Sequence, residues 1–141
     1  MNIYQHPPRN RAIEILQECG LPHTDLNESS FQDFLGCGSK DKPDGIIGLE
    51  QYGEDGLLRS LAITASARNK GCAKGLVLEL EALAESRGIR HLYLLTNTAE
   101  DFFLQLGYRI VERQRVSDAI KNTQEFSALC PWDTTLMRKS F

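Results

Sequence analysis

The sequence predicts an α/β fold with a mixed sheet, and three observations predict it. An apolar segment, "LLRSLAIT" (57–64), precedes an amphipathic stretch at 73–87 and a second apolar run, "IRHLYLLT" (89–96), which is the order of a βαβ unit with a right-handed crossover. Upstream, "SSFQDFLGCGS" (29–39) and "DGIIGLEQYG" (44–53) flank the charged turn "KDKPD", the pattern of a β-hairpin. The chain has 141 residues, enough to bury one core and too few for a second, so residues 1–141 are expected to form a single domain.

Each element has its own signal. In "NRAIEILQEC" (10–19), Ala12, Ile13, Leu16 and Cys19 share one helical stripe, with Asn10 as N-cap and Gly20 and Pro22 as the stop. The segment 57–64 is mostly apolar, as a strand covered on both faces should be, and Arg59 and Ser60 interrupt it. Leu76, Val77, Leu80, Leu83 and Ala84 form the apolar face of a helix over 73–87, closed by Gly88. "TAEDFFLQLGY" (98–108) reads as a shorter helix, with Thr98 and Asp101 near a capping box and Gly107 at its end. "YRIVE" (108–112) is a strand, "VSDAIKNTQEF" (116–126) a helix capped by Ser117 or Asp118, and "TTLMRKSF" (134–141) a closing strand.

Bulk properties narrow the function. A net charge of −3 argues against general nucleic-acid binding, so any anion recognition must be local. "MNIYQHPPRNRAIEIL" lacks a signal-peptide apolar core, and nowhere is there an apolar span long enough for a bilayer; a cytoplasmic protein without membrane partners is expected. Cys19, Cys37, Cys72 and Cys130 show neither CxxC nor Cys/His spacing, so reduced thiols are expected and no metal site.

The loop "RNKGCAKG" (68–75) lies between the central strand and the long helix. A glycine turn at a helix start aims main-chain N–H groups at one point, where the helix dipole adds positive potential, and phosphate is the natural guest. Arg68, Lys70 and Lys74 add charged donors at the rim. Neither GxxxxGK[ST] nor GxGxxG can be placed on it. The competing reading is an ordinary solvated basic turn.

The order of strand 57–64, "SARNKGCAKG", amphipathic helix, strand and "FFLQLGY" resembles the GNAT N-acetyltransferase family, whose R/Q-x-x-G-x-G/A signature reads here as "RNKGCA", with Arg68, Gly71 and Ala73 in its fixed positions. The resemblance implies the GNAT acyl-CoA N-acyltransferase fold: a mixed central sheet splayed at the middle, with helices on both faces. It implies acetyl-CoA as co-substrate, its pyrophosphate on the backbone of Arg68, Asn69, Lys70, Gly71, Cys72, Ala73 and Lys74. Pantetheine would then run beside strand 57–63, and the N–H groups of Leu61, Ala62 and Ile63 would polarise the thioester carbonyl. A narrower similarity, in "GLEQYG", "LLRSLAI", "YLLTNTAEDFFLQLGY" and "EFSALCP", is to the arsenic-resistance branch of that family, which acetylates the amino group of arsinothricin.

Acetyl transfer to an amine needs a neutral amine, a polarised carbonyl and a proton for the thiolate. Glu50, at the end of the hairpin's second strand, is the candidate to accept the ammonium proton; its alternative is a surface glutamate. Arg59 interrupts an apolar strand, where an unpaired cation is costly, so it either grips a substrate carboxylate or pairs with a neighbouring acid. Many family members carry tyrosine at the second position of "FYxxxGF", where this chain has Phe103 in "FFLQLGY"; Phe103 packs against the CoA arm or serves only the core. Ser60, Cys130 or water must then protonate the thiolate, and Asn97 either bonds the cofactor or caps the next helix. The expected partner is a small-molecule amine acceptor, with the protein a monomer or homodimer.

Overall fold

The computed structural model describes residues 2–112, 118–121 and 134–141. Along the chain run β1 (Ile3–Gln5), α1 (Arg9–Glu18), a 3-10 turn (Glu28–Asp33), β2 (Phe34–Gly38), β3 (Pro43–Tyr52), β4 (Asp55–Ile63) and a second 3-10 turn (Ala65–Ala67). Then follow α2 (Cys72–Ser86), β5 (His91–Thr96), α3 (Glu100–Gln105), β6 (Arg109–Ile110), α4 (Asp118–Lys121) and β7 (Thr135–Ser140). The seven strands described are ordered β1-β2-β3-β4-β5-β7-β6, a mixed sheet. The chain forms two compact units, Met1–Glu50 with Leu58–Leu83, and Gln51–Leu57 with Ala84–Phe141.

In the first unit, β1, β2 and β3 are antiparallel neighbours, with Ile3 opposite Cys37 and Cys37 opposite Gly45. Side chains alternate along β3, so Ile46 and Gly45 face opposite sides of the sheet. Ile46 packs with Ala12, Ile15 and Leu16 of α1, with Phe31 and Phe34, and with Ala62 of β4. On the other side, a Cβ built on Gly45 would fall 2.7 Å from Sγ of Cys72 and 3.3 Å from Cδ1 of Leu76, both on α2. Helices therefore cover both faces, and the absent side chain at Gly45 lets the start of α2 sit down on the sheet.

In the second unit, β4 and β5 run parallel over Asp55–Leu57, with Leu57 opposite Tyr93. From His91 to Thr96, β5 pairs antiparallel with β7, whose other side carries β6. Leu57, Tyr93, Ile120 and Leu136 form this unit's apolar cluster. The Glu54 carbonyl, in the turn between β3 and β4, accepts from the N–H groups of Arg90 (2.7 Å) and His91 (3.2 Å), which sets where β5 starts.

The three longer helices end alike. Gly20, Gly88 and Gly107 adopt φ of +68°, +80° and +97°. The following N–H reaches back to the last turn in each case: Leu21 to Leu16 O, Ile89 to Ala84 O and Tyr108 to Phe103 O. Those bonds satisfy carbonyls that the helix itself leaves open, and glycine takes the left-handed position without a Cβ clash.

Helix starts differ from the sequence expectation. Arg9 opens α1, with Pro8 preceding it in place of the expected Asn10 cap; proline's fixed φ suits an entry position. Ala99, without a side-chain bond, precedes α3 where a Thr98–Asp101 box was expected. There the hydroxyl of Thr96 accepts from Ala99 N–H at 3.1 Å and braces the turn. The short strand β1 had no sequence expectation, because three residues with one exposed end carry too little alternation to read. Of the helix expected at 116–126, Asp118–Lys121 lies within the described residues.

Candidate functional site

The site is built where β4 changes course. Ser60 has φ +60°, a left-handed conformation inside a strand. Its effect shows in the faces of its neighbours. Glu50 shares the α1 side of β3 with Ile46, because the two are an even number of residues apart. Arg59 bonds Glu50, and Ala62 packs with Ile46, so Arg59 and Ala62 lie on one side although they are three positions apart, an odd number. A regular strand would put them on opposite sides; the turn at Ser60 reverses the alternation and brings a charged side chain to the α1 side of the sheet.

Arg59 is 1% exposed, and its charge is met by two carboxylates. Asp25 takes the fork of the guanidinium, accepting from Nη1 and, at 2.9 Å, from Nη2. Glu50 accepts from Nη1 at 2.7 Å. The Oγ of Ser60 accepts from Nε at 3.0 Å, which leaves the hydroxyl proton of Ser60 available for donation. Such bidentate, charge-assisted bonding is what makes a buried arginine tolerable. The sequence reading singled out Glu50, Arg59 and Ser60, and the structure joins all three; it missed Asp25, which lies in the polar stretch "HTDLNESS" with no periodicity to mark it.

Beyond β4 the chain forms the predicted loop. Thr64 N–H donates to Asp44 O at 2.8 Å, and Ala67 N–H to Thr64 O at 3.0 Å. Asn69 and Gly71 have φ of +65° and +83°, and Gly75 N–H donates to Gly71 O at 3.0 Å, the first bond of α2. Left-handed residues placed this way curl the backbone into a concavity, and a helix's first turn has N–H groups its own carbonyls cannot reach. Arg68, Asn69, Lys70, Gly71 and Lys74 are exposed and Ala73 is half-buried, whereas Cys72 is buried. Arg68 braces the loop: its Nε donates to Ile63 O at 3.2 Å and its Nη2 lies 3.8 Å from Sγ of Cys19. Leu61 and Ile63 are half-buried and Ala62 is buried.

Cys72 does not behave as a reactive group. Burial, with a hydrogen bond to Cys37 adding to it, pushes its thiol up to about 12. In the second unit, Phe103 is buried and stacks edge-on against Phe102 and Tyr108 at 5.0 and 5.4 Å between ring centres, so it serves the core there. Asn97 is exposed. Cys130 lies outside the described residues.

A family model for the acetyltransferase (GNAT) domain matches residues 32–110. An uncharacterized N-acetyltransferase of Chlorobaculum tepidum is 35% identical over 57 residues, which is 40% of this chain and 36% of that protein, so the match spans little more than a third of the relative. Among solved structures, N-acetylglutamate synthase of Neisseria gonorrhoeae, complexed with coenzyme A and N-acetyl-glutamate, superposes with a TM-score of 0.82 at 17% identity, covering 99% of this chain and 34% of that one. The Mycobacterium tuberculosis protein Rv2747, in complex with CoA, superposes with a TM-score of 0.77 at 16% identity, covering 100% and 99%. Both likenesses are of fold. With the matched model covering more than half of its length, from β2's approach to the end of β6, the chain belongs to the GNAT acetyltransferase family.

Proposed function

We propose that the protein transfers the acetyl group of acetyl-CoA to the amino group of a small acceptor, with an acidic amino acid or an analogue such as arsinothricin as the acceptor class. The observation that carries this reading is the Asp25–Arg59–Glu50–Ser60 cluster at the bend in β4, next in sequence to an anion-suited loop. A carboxylate at hand for the ammonium proton, a guanidinium suited to an acceptor carboxylate and a hydroxyl proton are what direct acetyl transfer to such an amine requires.

The residues divide the work as follows. Main-chain N–H groups of Arg68 to Lys74 hold the pyrophosphate, with Arg68, Lys70 and Lys74 at the rim. Those of Leu61, Ala62 and Ile63 hold pantetheine and stabilise the oxyanion. Glu50 takes a proton from the acceptor's ammonium, whose nitrogen lone pair then forms the N–C bond. The C–S bond breaks, and the thiolate takes a proton from Ser60, which regains one from the new amide's nitrogen. No acyl-enzyme forms. Cys130 is the other candidate donor carried by the sequence.

Steady-state assays of thiol release with glutamate, phosphinothricin and arsinothricin test the proposal. Turnover of at least one is expected, without an acetylated protein detectable by mass spectrometry. Turnover of none ends the acidic-acceptor reading. Tight acetyl-CoA binding with no transfer across a wider amine panel would favour an acyl-CoA sensor instead, the reading that Phe103, with no acidic proton in the aromatic core, supports.

A further inference from the structure

Arg59 itself holds its two carboxylates unequally. Asp25 engages both Nη1 and Nη2 and its side chain is 9% exposed; Glu50 engages Nη1 and is 26% exposed. The guanidinium itself is 1% exposed, and of its two carboxylates Glu50 is the one more open to solvent. Ser60 Oγ fixes the third side of the guanidinium through Nε.

We propose that Glu50 and the acceptor's carboxylate exchange at Nη1 of Arg59, with Asp25 as the strut that keeps the guanidinium in place while they do. The fork from Asp25 holds the plane of the guanidinium, so that Nη1 presents the same direction whichever carboxylate it meets. Glu50, the more exposed of the two carboxylates, offers an oxygen for the acceptor's ammonium to meet at the same spot. When the acceptor's carboxylate takes Nη1, Glu50 is released beside the arriving ammonium and accepts its proton; the nitrogen lone pair so freed attacks the acetyl carbonyl. Charge balance is kept, because one carboxylate replaces another on Arg59 and the proton passes from nitrogen to Glu50. Binding of the acidic acceptor thereby readies the base, and a neutral amine lacks the group that releases it. Asp25 is in this account a positioning residue. The inference rests on the acetyl-transfer reading for the role of Glu50, and on geometry alone for the exchange.

A dicarboxylate without an amine, glutarate, separates the two. Calorimetric titration of glutarate is to be run on the wild type and on Glu50→Gln and Asp25→Asn, each shown to be folded by circular dichroism. A neutral amide competes for Nη1 less well than a carboxylate, so Glu50→Gln is expected to bind glutarate about fivefold more tightly. Asp25→Asn, which loosens the strut, is expected to bind it about tenfold more weakly. With glutamate as acceptor, Glu50→Gln should lower both KM and kcat, a pairing that general loss of structure does not produce. Unchanged or weaker glutarate binding by Glu50→Gln overturns the exchange, as does absence of glutarate binding by all forms. Should Asp25→Asn fail to fold, the Glu50→Gln titration decides the proposal. The acetyl-transfer reading fails separately, if the wild type releases no thiol with any amine.

Discussion

The sulfur of Cys72 occupies the space that a side chain at Gly45 would need: a Cβ there would lie 2.7 Å from Sγ and 2.6 Å from Cδ1 of Ile63. Gly45 pairs with Cys37 across β2 and β3, so the glycine, the two thiols and the first turn of α2 form one tight packing unit beneath the loop. Gly45→Val is expected to cost about 3 kcal/mol, the upper range for overpacking a filled core. Urea unfolding measures it. Adding Cys72→Ala should recover part of the loss, and strict additivity of the two substitutions would show that the thiol is not the obstacle.

The Cys72 thiol supplies a pH prediction. Its pKa stands near 12 in the folded chain against an ordinary 9.0, because burial disfavours the thiolate. The folded state thus holds this proton where the unfolded state has released it. Its contribution to stability is complete below pH 9.0 and is lost as pH climbs towards 12. Iodoacetamide at neutral pH should accordingly label half-buried Cys19 ahead of Cys37 and Cys72, as read by peptide mass spectrometry. Prompt labelling of Cys72 in folded protein would contradict the packing just described.

Ser60 has two separable jobs. Glycine relieves a left-handed conformation worth about 1 kcal/mol. It also takes away the acceptor of a buried guanidinium N–H, worth about 2 kcal/mol, so Ser60→Gly should cost a net ~1 kcal/mol. A β-branched residue cannot relax at that φ, and Ser60→Val is expected to cost about 2 kcal/mol or more. If the hydroxyl is the proton donor, Ser60→Gly lowers kcat far more than its small drop in urea midpoint accounts for, whereas Ser60→Val lowers the midpoint by more.

The loop is tested by contrasting main chain with side chain. Arg68→Ala removes one rim charge and the brace to Ile63, and should raise the KM for acetyl-CoA several-fold, about 1 kcal/mol. Gly71→Val forces a β-branched residue to φ +83°, at the residue whose carbonyl accepts the first bond of α2, and should abolish acetyl-CoA binding by calorimetry. Small, equal effects would reduce the loop to a turn.

Helix ends, the pairing of β2 with β3 and the βαβ unit were legible because their signals are local: Gly20, Gly88 and Gly107 mark three left-handed stops, and an apolar stripe marks α2. Residues 29–33 of the expected hairpin arm, however, form a 3-10 turn capped by Asn27, and the strand begins at Phe34. The bend at Ser60 was not legible. Alternation tells which side a residue faces only while the strand is regular, and no composition rule says that a lone serine takes positive φ. Hence Arg59 stood out as an oddity whose partner stayed open between a substrate and a neighbour. That the neighbour includes Asp25, 34 positions away in sequence, follows from tertiary placement alone. Likewise, the Gly45–Cys72 fit depends on a register and a helix docking that neither residue announces.

The double acceptance at the Glu54 carbonyl has a consequence for the order of folding. The β3–β4 hairpin closes a short loop and is the kind of element that forms within microseconds, whereas parallel pairing must wait for a long crossover to close. Once the hairpin turn exists, its carbonyl is a fixed dock for the chain leaving α2, and Arg90 and His91 are expected to be caught there before Leu92 and Tyr93 line up beside Gly56 and Leu57. Substitutions in the turn at Gly53 are therefore expected to slow refolding, and substitutions at Leu92 mainly to speed unfolding, in stopped-flow chevrons. The reverse partition would mean that the crossover, and not the hairpin, is the step the chain waits for.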